Sequence, residues 1–289
     1  MGKRILLTGA NGFVGRQIMR ALSEQDVELV PVVRTGKEVE IDKATPISKV
    51  IASDDLFSES VDWWTAACEG IDTVVHTAWY TEPGDCLRSD KNVDCLQGSI
   101  ALARGAIAST VRRFVGIGTC FEYDLTKRVL SMDVPLAPTS TYGDFKAALY
   151  LALSHWLPGN GIEFAWCRLF YLYGEGEHPR RLVPFIKERL SKGEPAELTS
   201  GTQIRDFLDV RKAGELIAQA ALGSQQGAIN ICSGVPVTVR QLAERIADDF
   251  GRRDLLEFGA RPDNFVDPPC VLGISNLEPT IESKETVSK

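Results

Sequence analysis

Lys3-Arg4-Ile5-Leu6-Leu7-Thr8-Gly9-Ala10-Asn11-Gly12-Phe13-Val14-Gly15 is a short apolar run that enters a glycine-bearing turn and then opens a helical pattern from Val14 to Glu24. The order strand, turn, helix is what makes a weak glycine pattern informative. Gly9 permits the tight turn, Gly12 lets the backbone approach a pyrophosphate, and Gly15 allows close helix packing. Phosphates so placed lie at a helix N-terminus, where free N–H groups and the helix dipole favour negative charge. A plain strand-to-helix turn with chance glycines is the weaker reading.

Outward from this stretch, apolar runs alternate with helical ones. Arg4–Leu7, Glu28–Val33, Thr73–Thr77, Arg113–Ile117 and Glu163–Leu169 read as buried strands, and Val14–Glu24, Trp63–Glu69, Val93–Ala108 and Tyr142–Trp156 as helices. Such alternation predicts right-handed crossovers and a parallel sheet covered on both faces. The fold class is therefore α/β, a Rossmann-type doubly wound parallel sheet with a smaller C-terminal substrate-binding lobe. The rhythm changes after Tyr173-Gly174: polar Gly174–Arg181, a helix at Leu182–Ser191, a turn at Lys192–Pro195 and a short strand. The expected division is 1–173 plus 206–233 for the dinucleotide-binding domain and 174–205 plus 234–289 for the smaller lobe. Glu278–Lys289 is polar and reads as a loose end.

Bulk properties narrow the function. A chain of 289 residues, 44% hydrophobic and 25% charged, has the composition of a soluble globular protein with a sizeable core. The net charge of −7 argues against nucleic acid or an anionic membrane as a general partner. The seven cysteines (68, 86, 95, 120, 167, 232 and 270) are odd in number and lack CxxC or zinc-like spacing, which reads as free thiols in a reducing cytoplasm, with no metal site. No apolar run approaches the roughly 20 residues of a membrane span. Met1–Leu7 leads straight into the glycine turn and so reads as a strand and not a signal peptide. Gly2 starts no myristoylation signal, because Leu6 stands where Ser or Thr is required.

Tyr142 and Lys146 lie four residues apart on a predicted helix, so phenol and ammonium share a face. The ammonium is expected to lower the tyrosine pKa from its usual value of about 10, which suits proton exchange with a hydroxyl near neutral pH. Hydride transfer to or from a nicotinamide needs such a partner. At the end of the second strand, where an acidic residue would bind the ribose diol of NAD, stands Arg34. An arginine there suits the 2′-phosphate of NADP through a charge-assisted fork contact, so NADP is favoured over NAD; a solvent-facing loop arginine is the plainer reading. Asp54 or Asp55, after the third strand, could accept from an adenine amino group, and reads equally as a loop carboxylate.

These residues resemble an extended short-chain dehydrogenase/reductase of the nucleotide-sugar epimerase/dehydratase family, over residue 3 to about 270. Gly118-Thr119-Cys120-Phe121-Glu122-Tyr123 occupies the place of the family's catalytic hydroxyl, matched by Thr119. Arg168-Leu169-Phe170-Tyr171-Leu172-Tyr173-Gly174 resembles the strand into the substrate lobe. Gly201-Thr202-Gln203-Ile204-Arg205-Asp206-Phe207 resembles its Gly-x-Gln-x-Arg-Asp-Phe segment, and Arg261-Pro262-Asp263 a second arginine site. The resemblance implies that Thr119 bonds the reacting sugar oxygen, Tyr142 acts as acid and base, and Lys146 also holds the nicotinamide ribose. It implies a cofactor side made of Gly9, Asn11, Gly12, Phe13, Val14, Gly15, Arg34, Asp54, Asp55, Leu56, Thr77 and Ala78 with Tyr142 and Lys146. The substrate side comprises Trp79, Thr119, Tyr171, Arg205 and Arg261, with Arg205 on the diphosphate and Arg261 near the phosphates and base. The net acidic protein still needs such cationic forks for a nucleotide-diphosphate sugar; an ion pair of Arg205 with Asp206 or Asp209 is the alternative. A homodimer through the helices beginning near Val93 and Tyr142 is the family default.

The departures are as informative. Cys120 and Phe121 replace the acidic residue that dehydratases and decarboxylases carry just after the threonine. Tyr171 stands where many members have an asparagine. The helical asparagine before the fifth strand maps to Asn92 or, by spacing to Val111, to Cys95. The C-terminal end lacks the family's closing segment, so the small lobe is expected to be incomplete on that side. Cys120 and His178 read as a packed thiol and a loop histidine more readily than as an epimerising pair. His76 reads as a satisfied core histidine, and Arg180 and Arg181 as a solvated pair. Trp79 and Tyr80 either stack on a ligand or fill the lobe interface. The function expected is NADP(H)-dependent reduction of a nucleotide-activated 4-keto-6-deoxyhexose. A 4-epimerase with tightly bound NAD is the runner-up, and a non-catalytic NADP-sensing protein comes third.

Overall fold

The computed structural model describes residues 2–37, 47–109, 111–263 and 268–278. Its strands are β1 (Lys3–Thr8), β2 (Val27–Arg34), β3 (Ile51–Ser53), β4 (Thr73–His76), β5 (Arg113–Thr119), β6 (Val129–Leu130), β7 (Glu163–Leu169), β8 (Tyr171–Tyr173), β9 (Ala196–Leu198), β10 (Ile204–Asp209), β11 (Gly227–Ile231), β12 (Pro236–Thr238), β13 (Leu256–Phe258) and β14 (Cys270–Gly273). The helices are α1 (Phe13–Ser23), α2 (Val61–Ala67), α3 (Lys91–Ile107), α4 (Thr141–Gly159), α5 (Leu182–Ser191), α6 (Val210–Leu222) and α7 (Val239–Phe250).

A seven-stranded parallel sheet runs β11-β7-β5-β4-β1-β2-β3. Its strands are apolar on both sides because both faces are covered. Ile5 and Leu7 pack with Ile18 and Leu22 of α1 and Ile217 of α6 on one face. Leu6 and Val74 pack with Trp64 of α2, Leu102 of α3 and Leu153 of α4 on the other. Strand order reverses between β1 and β4, so a crevice opens past their carboxyl ends, the place where open α/β sheets bind ligands.

Beyond this sheet, β12-β10-β14-β6 form a second one to which β8 adds through β10, and β9 pairs with β13. Helices α5 and α7 enclose a separate apolar cluster around Ile186, Leu198 and Ile246. The second sheet takes β6 and β8 from before residue 174, so its strands come from both sides of the expected lobe boundary.

Element ends differ from the sequence reading for local reasons. Ser60 accepts the Trp63 N–H at 3.1 Å and starts α2 two residues early. Ser140 starts α4 one residue early by accepting the Gly143 N–H at 3.1 Å. At its far end α4 runs past Trp156 and through Pro158 to Gly159, although Pro158 gives up one helix hydrogen bond there. Glu278 is not loose: its N–H donates to Gln225 Oε1 at 2.9 Å and its carbonyl accepts from Gln219 Nε2 at 2.6 Å. The remainder of that tail lies outside the described residues.

Candidate active site

The glycine turn fits a dinucleotide. Gly9 has φ +67°, and a Cβ there would lie 2.6 Å from Thr77 Oγ1. A Cβ on Gly15 would lie 2.1 Å from the Gly9 carbonyl oxygen, so α1 rests directly on the turn. Gly12 is the N-cap of α1 with extended backbone; it offers no side-chain cap and is exposed, and the first turn holds no acidic residue. The N–H groups there suit an anion. Phe13 and Val14 begin that helix, Val14 against the core. Asn11 donates to the Lys37 carbonyl at 3.1 Å, which ties the turn to the loop after Arg34.

Arg34 is exposed at the end of β2 and has no ion-pair partner among the described residues. Asp55 Oδ1 accepts the Phe57 N–H at 3.1 Å, Asp54 is exposed, and Leu56 packs on the α2/α3 side of the core. Thr77 Oγ1 donates to the Thr8 carbonyl at 2.5 Å, and the Ala78 N–H donates to Thr8 Oγ1 at 3.3 Å. These pairs knit the two strands flanking the crevice.

His76 sits below, fully tied: Nδ1 lies 2.8 Å from Thr8 Oγ1 and Nε2 lies 2.7 Å from Ser99 Oγ, whose hydroxyl donates to the Cys95 carbonyl at 2.6 Å. Burial first, then the Lys146 charge, bring its pKa down to about 3. It is the satisfied core histidine the sequence suggested.

Thr119 ends β5, 5% exposed. Its hydroxyl accepts from the Phe121 N–H at 3.3 Å and lies close enough to the Tyr142 phenol to pull its pKa down a little. Lys146 donates to the Ile117 carbonyl at 2.6 Å, two residues back on the same strand. Helix α4 therefore lays Tyr142 and Lys146 along the β5 terminus, and the three side chains converge. One expectation is reversed: the Tyr142 phenol is held above its ordinary range, by burial first and by the Glu122 carboxylate next. The ammonium that was expected to lower it spends itself on Ile117 and on the Trp79 ring, with Nζ 3.9 Å from the ring centroid. Burial brings Lys146 down to about 7, with Glu122 and Cys95 pulling the other way.

On the substrate side, Arg205 is 5% exposed, donates to the Ile204 carbonyl at 2.9 Å and lies 5.2 Å from the Tyr171 ring centroid. The Tyr171 ring meets Phe121 and Phe207 edge-on. Neither proposed acidic partner holds Arg205. Asp206 accepts from Ser233 N–H and Oγ–H, Gly234 N–H and Gly273 N–H, and Asp209 binds Arg211. The Arg205 charge instead reaches the Thr119–Cys120 turn, where it acts on the buried thiol. Arg261 is exposed 4.8 Å from the Phe185 ring centroid and 3.9 Å from Glu197, in an open pocket that Arg189 and Pro195 also line.

Burial pushes the Cys120 thiol up to about 12. His178 sits on an outer loop, 3.9 Å from Glu82, and its Nδ1 accepts the Arg180 N–H. The two serve different places. Arg180 pairs with Glu82 and is not free. All seven cysteines are unpaired. Among the described residues no helix is long and apolar enough to cross a membrane.

Sequence reasoning passed over Glu122 and Glu177 and left Asn92 and Cys95 undivided. Glu122 accepts from Thr119 N–H, Trp166 Nε1 and Arg168 Nε; its signal was the Thr-x-x-Glu capping box at 119–122. Of the two candidates for the helical asparagine, Asn92 holds Trp79 Nε1 at 2.8 Å, whereas the Cys95 thiol feels Lys146. Glu177, after β8, is pushed up to about 7 by burial; nothing in its neighbours along the chain announced that.

Known proteins resemble the chain in sequence and in fold. The sequence model of the NAD dependent epimerase/dehydratase family matches residues 5–232. The chain is 21% identical over 275 residues to a dTDP-6-deoxy-L-talose 4-dehydrogenase (NAD(+)) of Aggregatibacter actinomycetemcomitans, covering 93% of this chain and 98% of the relative. It is 28% identical over 262 residues to the dTDP-6-deoxy-L-talose 4-dehydrogenase (NAD(P)(+)) of Kitasatospora kifunensis, covering 86% and 79%. The solved structure of UDP-N-acetylglucosamine 4-epimerase from Methanobrevibacter ruminantium M1, in complex with UDP-N-acetylmuramic acid, superposes with a TM-score of 0.82 at 19% identity, over 95% of this chain and 90% of that one, and shares the fold. With a glycine turn built for a dinucleotide and a Thr–Tyr–Lys set at the switch-point crevice, the chain belongs to the NAD dependent epimerase/dehydratase family.

Proposed function

We propose that the protein is an NADP(H)-dependent reductase of a nucleotide-activated 4-keto-6-deoxyhexose. The observation that carries this is the convergence of Thr119, Tyr142 and Lys146 on the end of β5, with the phenol kept protonated. Gly9, Gly12 and Gly15 with the start of α1 would hold the cofactor pyrophosphate, Arg34 its 2′-phosphate, and Lys146 its nicotinamide ribose. Bound NADPH supplies the hydride. Thr119 fixes and polarises the sugar carbonyl, and Tyr142 gives its proton to the developing alkoxide. Arg205, next to the catalytic turn, and Arg261, stacked on Phe185, would grip the diphosphate. The absence of an acid at Cys120 and Phe121 speaks against dehydration. The names of the two dehydrogenase relatives support chemistry at C4 of a 6-deoxy sugar.

Pairing of subunits through α3 and α4 belongs to the same proposal; Leu151, 56% exposed on α4, suits such a contact, and light scattering reads the mass. The test of function is a panel of dTDP- and UDP-linked 4-keto-6-deoxyhexoses with NADPH and NADH, followed at the nicotinamide absorbance. Stoichiometric NADPH oxidation supports the reductase. Interconversion of 4-epimers with retained NAD and no net oxidation would replace it with the epimerase.

A further inference from the structure

An ammonium has three N–H donors. For Lys146 one runs to the Ile117 carbonyl at 2.6 Å, and the Trp79 ring covers another side with Nζ 3.9 Å from its centroid. That ring is itself fixed: its Nε1–H donates to Asn92 Oδ1 at 2.8 Å. Asn92, fully buried, donates in turn to the Cys86 and Ser89 carbonyls, both at 2.8 Å. Packing alone would accept any large apolar side chain after β4, but an indole anchored through its N–H and presenting its face to a buried cation is a more specific arrangement.

We propose that Trp79 is a positioning residue for Lys146: its anchored ring holds the ammonium against the end of β5 and leaves one donor for the ligand. The inference rests on the reaction assigned above and adds to it a residue of the positively charged side of the site. Attraction of a cation to a ring face grows as water is excluded, and Lys146 is 3% exposed. The Trp166 ring is a more distant second at 5.8 Å. The titratable groups facing the ammonium are Glu122 from the turn after β5, Cys95 from α3 and His76 from β4, with Tyr142 one turn back on α4. The ring stabilises the charged form alongside Glu122 and Cys95, against burial. Its removal lets Lys146 lose its proton at lower pH.

The experiment titrates the Lys146 ammonium by nitrogen NMR in the full chain, assigned by Lys146→Met, for wild type, Trp79→Leu and Trp79→Phe. The pH dependence of NADPH-driven turnover is recorded in parallel. Trp79→Leu is expected to move the Lys146 titration down by about one pH unit and to carry the alkaline limb of turnover with it. Trp79→Phe, which keeps a ring face but not the Asn92 bond, recovers part of the shift. Should Trp79→Leu not fold, Trp79→Phe against wild type decides alone, by a smaller downward shift. A Lys146 titration unmoved by loss of the ring overturns the proposal. Wild type inert toward every nucleotide sugar would instead sink the assigned reaction, while the titration still decides the role of Trp79.

Discussion

The Glu122 carboxylate and the Arg168 guanidinium meet at 2.7 Å, with 0% and 2% of their side chains exposed. Arg168 also donates to the Tyr123 hydroxyl, which donates to Asn230 Oδ1, so the turn under Thr119 is tied to β7 and β11. Breaking such a pair strands a buried charge, which typically costs about 3–5 kcal/mol. Arg168→Met is expected to lose that much in urea unfolding, and Glu122→Gln a comparable amount. The double variant should lose less than the two losses added, because no lone charge remains. Simple additivity would show that the pair is not coupled.

Because burial and Glu122 keep the Tyr142 phenol protonated above its usual pKa, it is poised as a donor at neutral pH. Reduction should therefore proceed across the neutral range without waiting for Tyr142 to ionise. Alcohol oxidation, which needs the phenolate, should rise with pH. Rates in both directions against pH check this. Tyr142→Phe should lower the rate by about 10²–10⁴-fold with little change in thermal stability; a variant that kept its rate would remove Tyr142 from the chemistry.

Lys146 carries a stability signature of its own. Its pKa falls from 10.5 to about 7 on folding, so between those values the unfolded chain binds the extra proton. Stability therefore rises with pH through that window, by up to about 1.4 kcal/mol per pH unit, and the penalty is full below it. Lys146→Met should flatten this component. The difference between wild-type and variant unfolding free energies, measured across the window, isolates it from the thiols and Tyr142.

Arg34 stands exposed at the end of β2 with no carboxylate partner among the described residues. If it grips a 2′-phosphate, Arg34→Leu should raise the KM for NADPH by about 10- to 100-fold, the worth of one charge-assisted contact. The KM for NADH should stay where it is. Equal changes for both cofactors would return Arg34 to the loop.

The doubly wound sheet was legible because buried parallel strands are apolar on both sides and the Thr8–Gly15 turn marks where one strand becomes a helix. Thr119, Tyr142 and Lys146 were legible as a set because helix periodicity and motif order survive in one dimension. What did not survive was direction. The spacing of Tyr142 and Lys146 puts them on one face, but it does not say that the ammonium turns to Ile117 and Trp79, nor that burial outweighs its pull on the phenol. Spacing could not tell Asn92 from Cys95; the fold puts Asn92 on the Trp79 indole and the Cys95 thiol near Lys146. Glu122 was announced by its capping box, yet its grip on Arg168 spans 46 positions and only the fold reveals it.

The hydrogen bonds around His76 can run in one sense only. Ser99 gives its proton to Cys95, so it must accept from Nε2; Nδ1 must then accept from Thr8, which takes the Ala78 N–H. With a pKa near 3, the imidazole keeps this arrangement throughout the neutral range. The floor of the crevice is thus electrically mute across the neutral range: a charge change felt there comes from the Lys146 ammonium beside it, brought down to about 7.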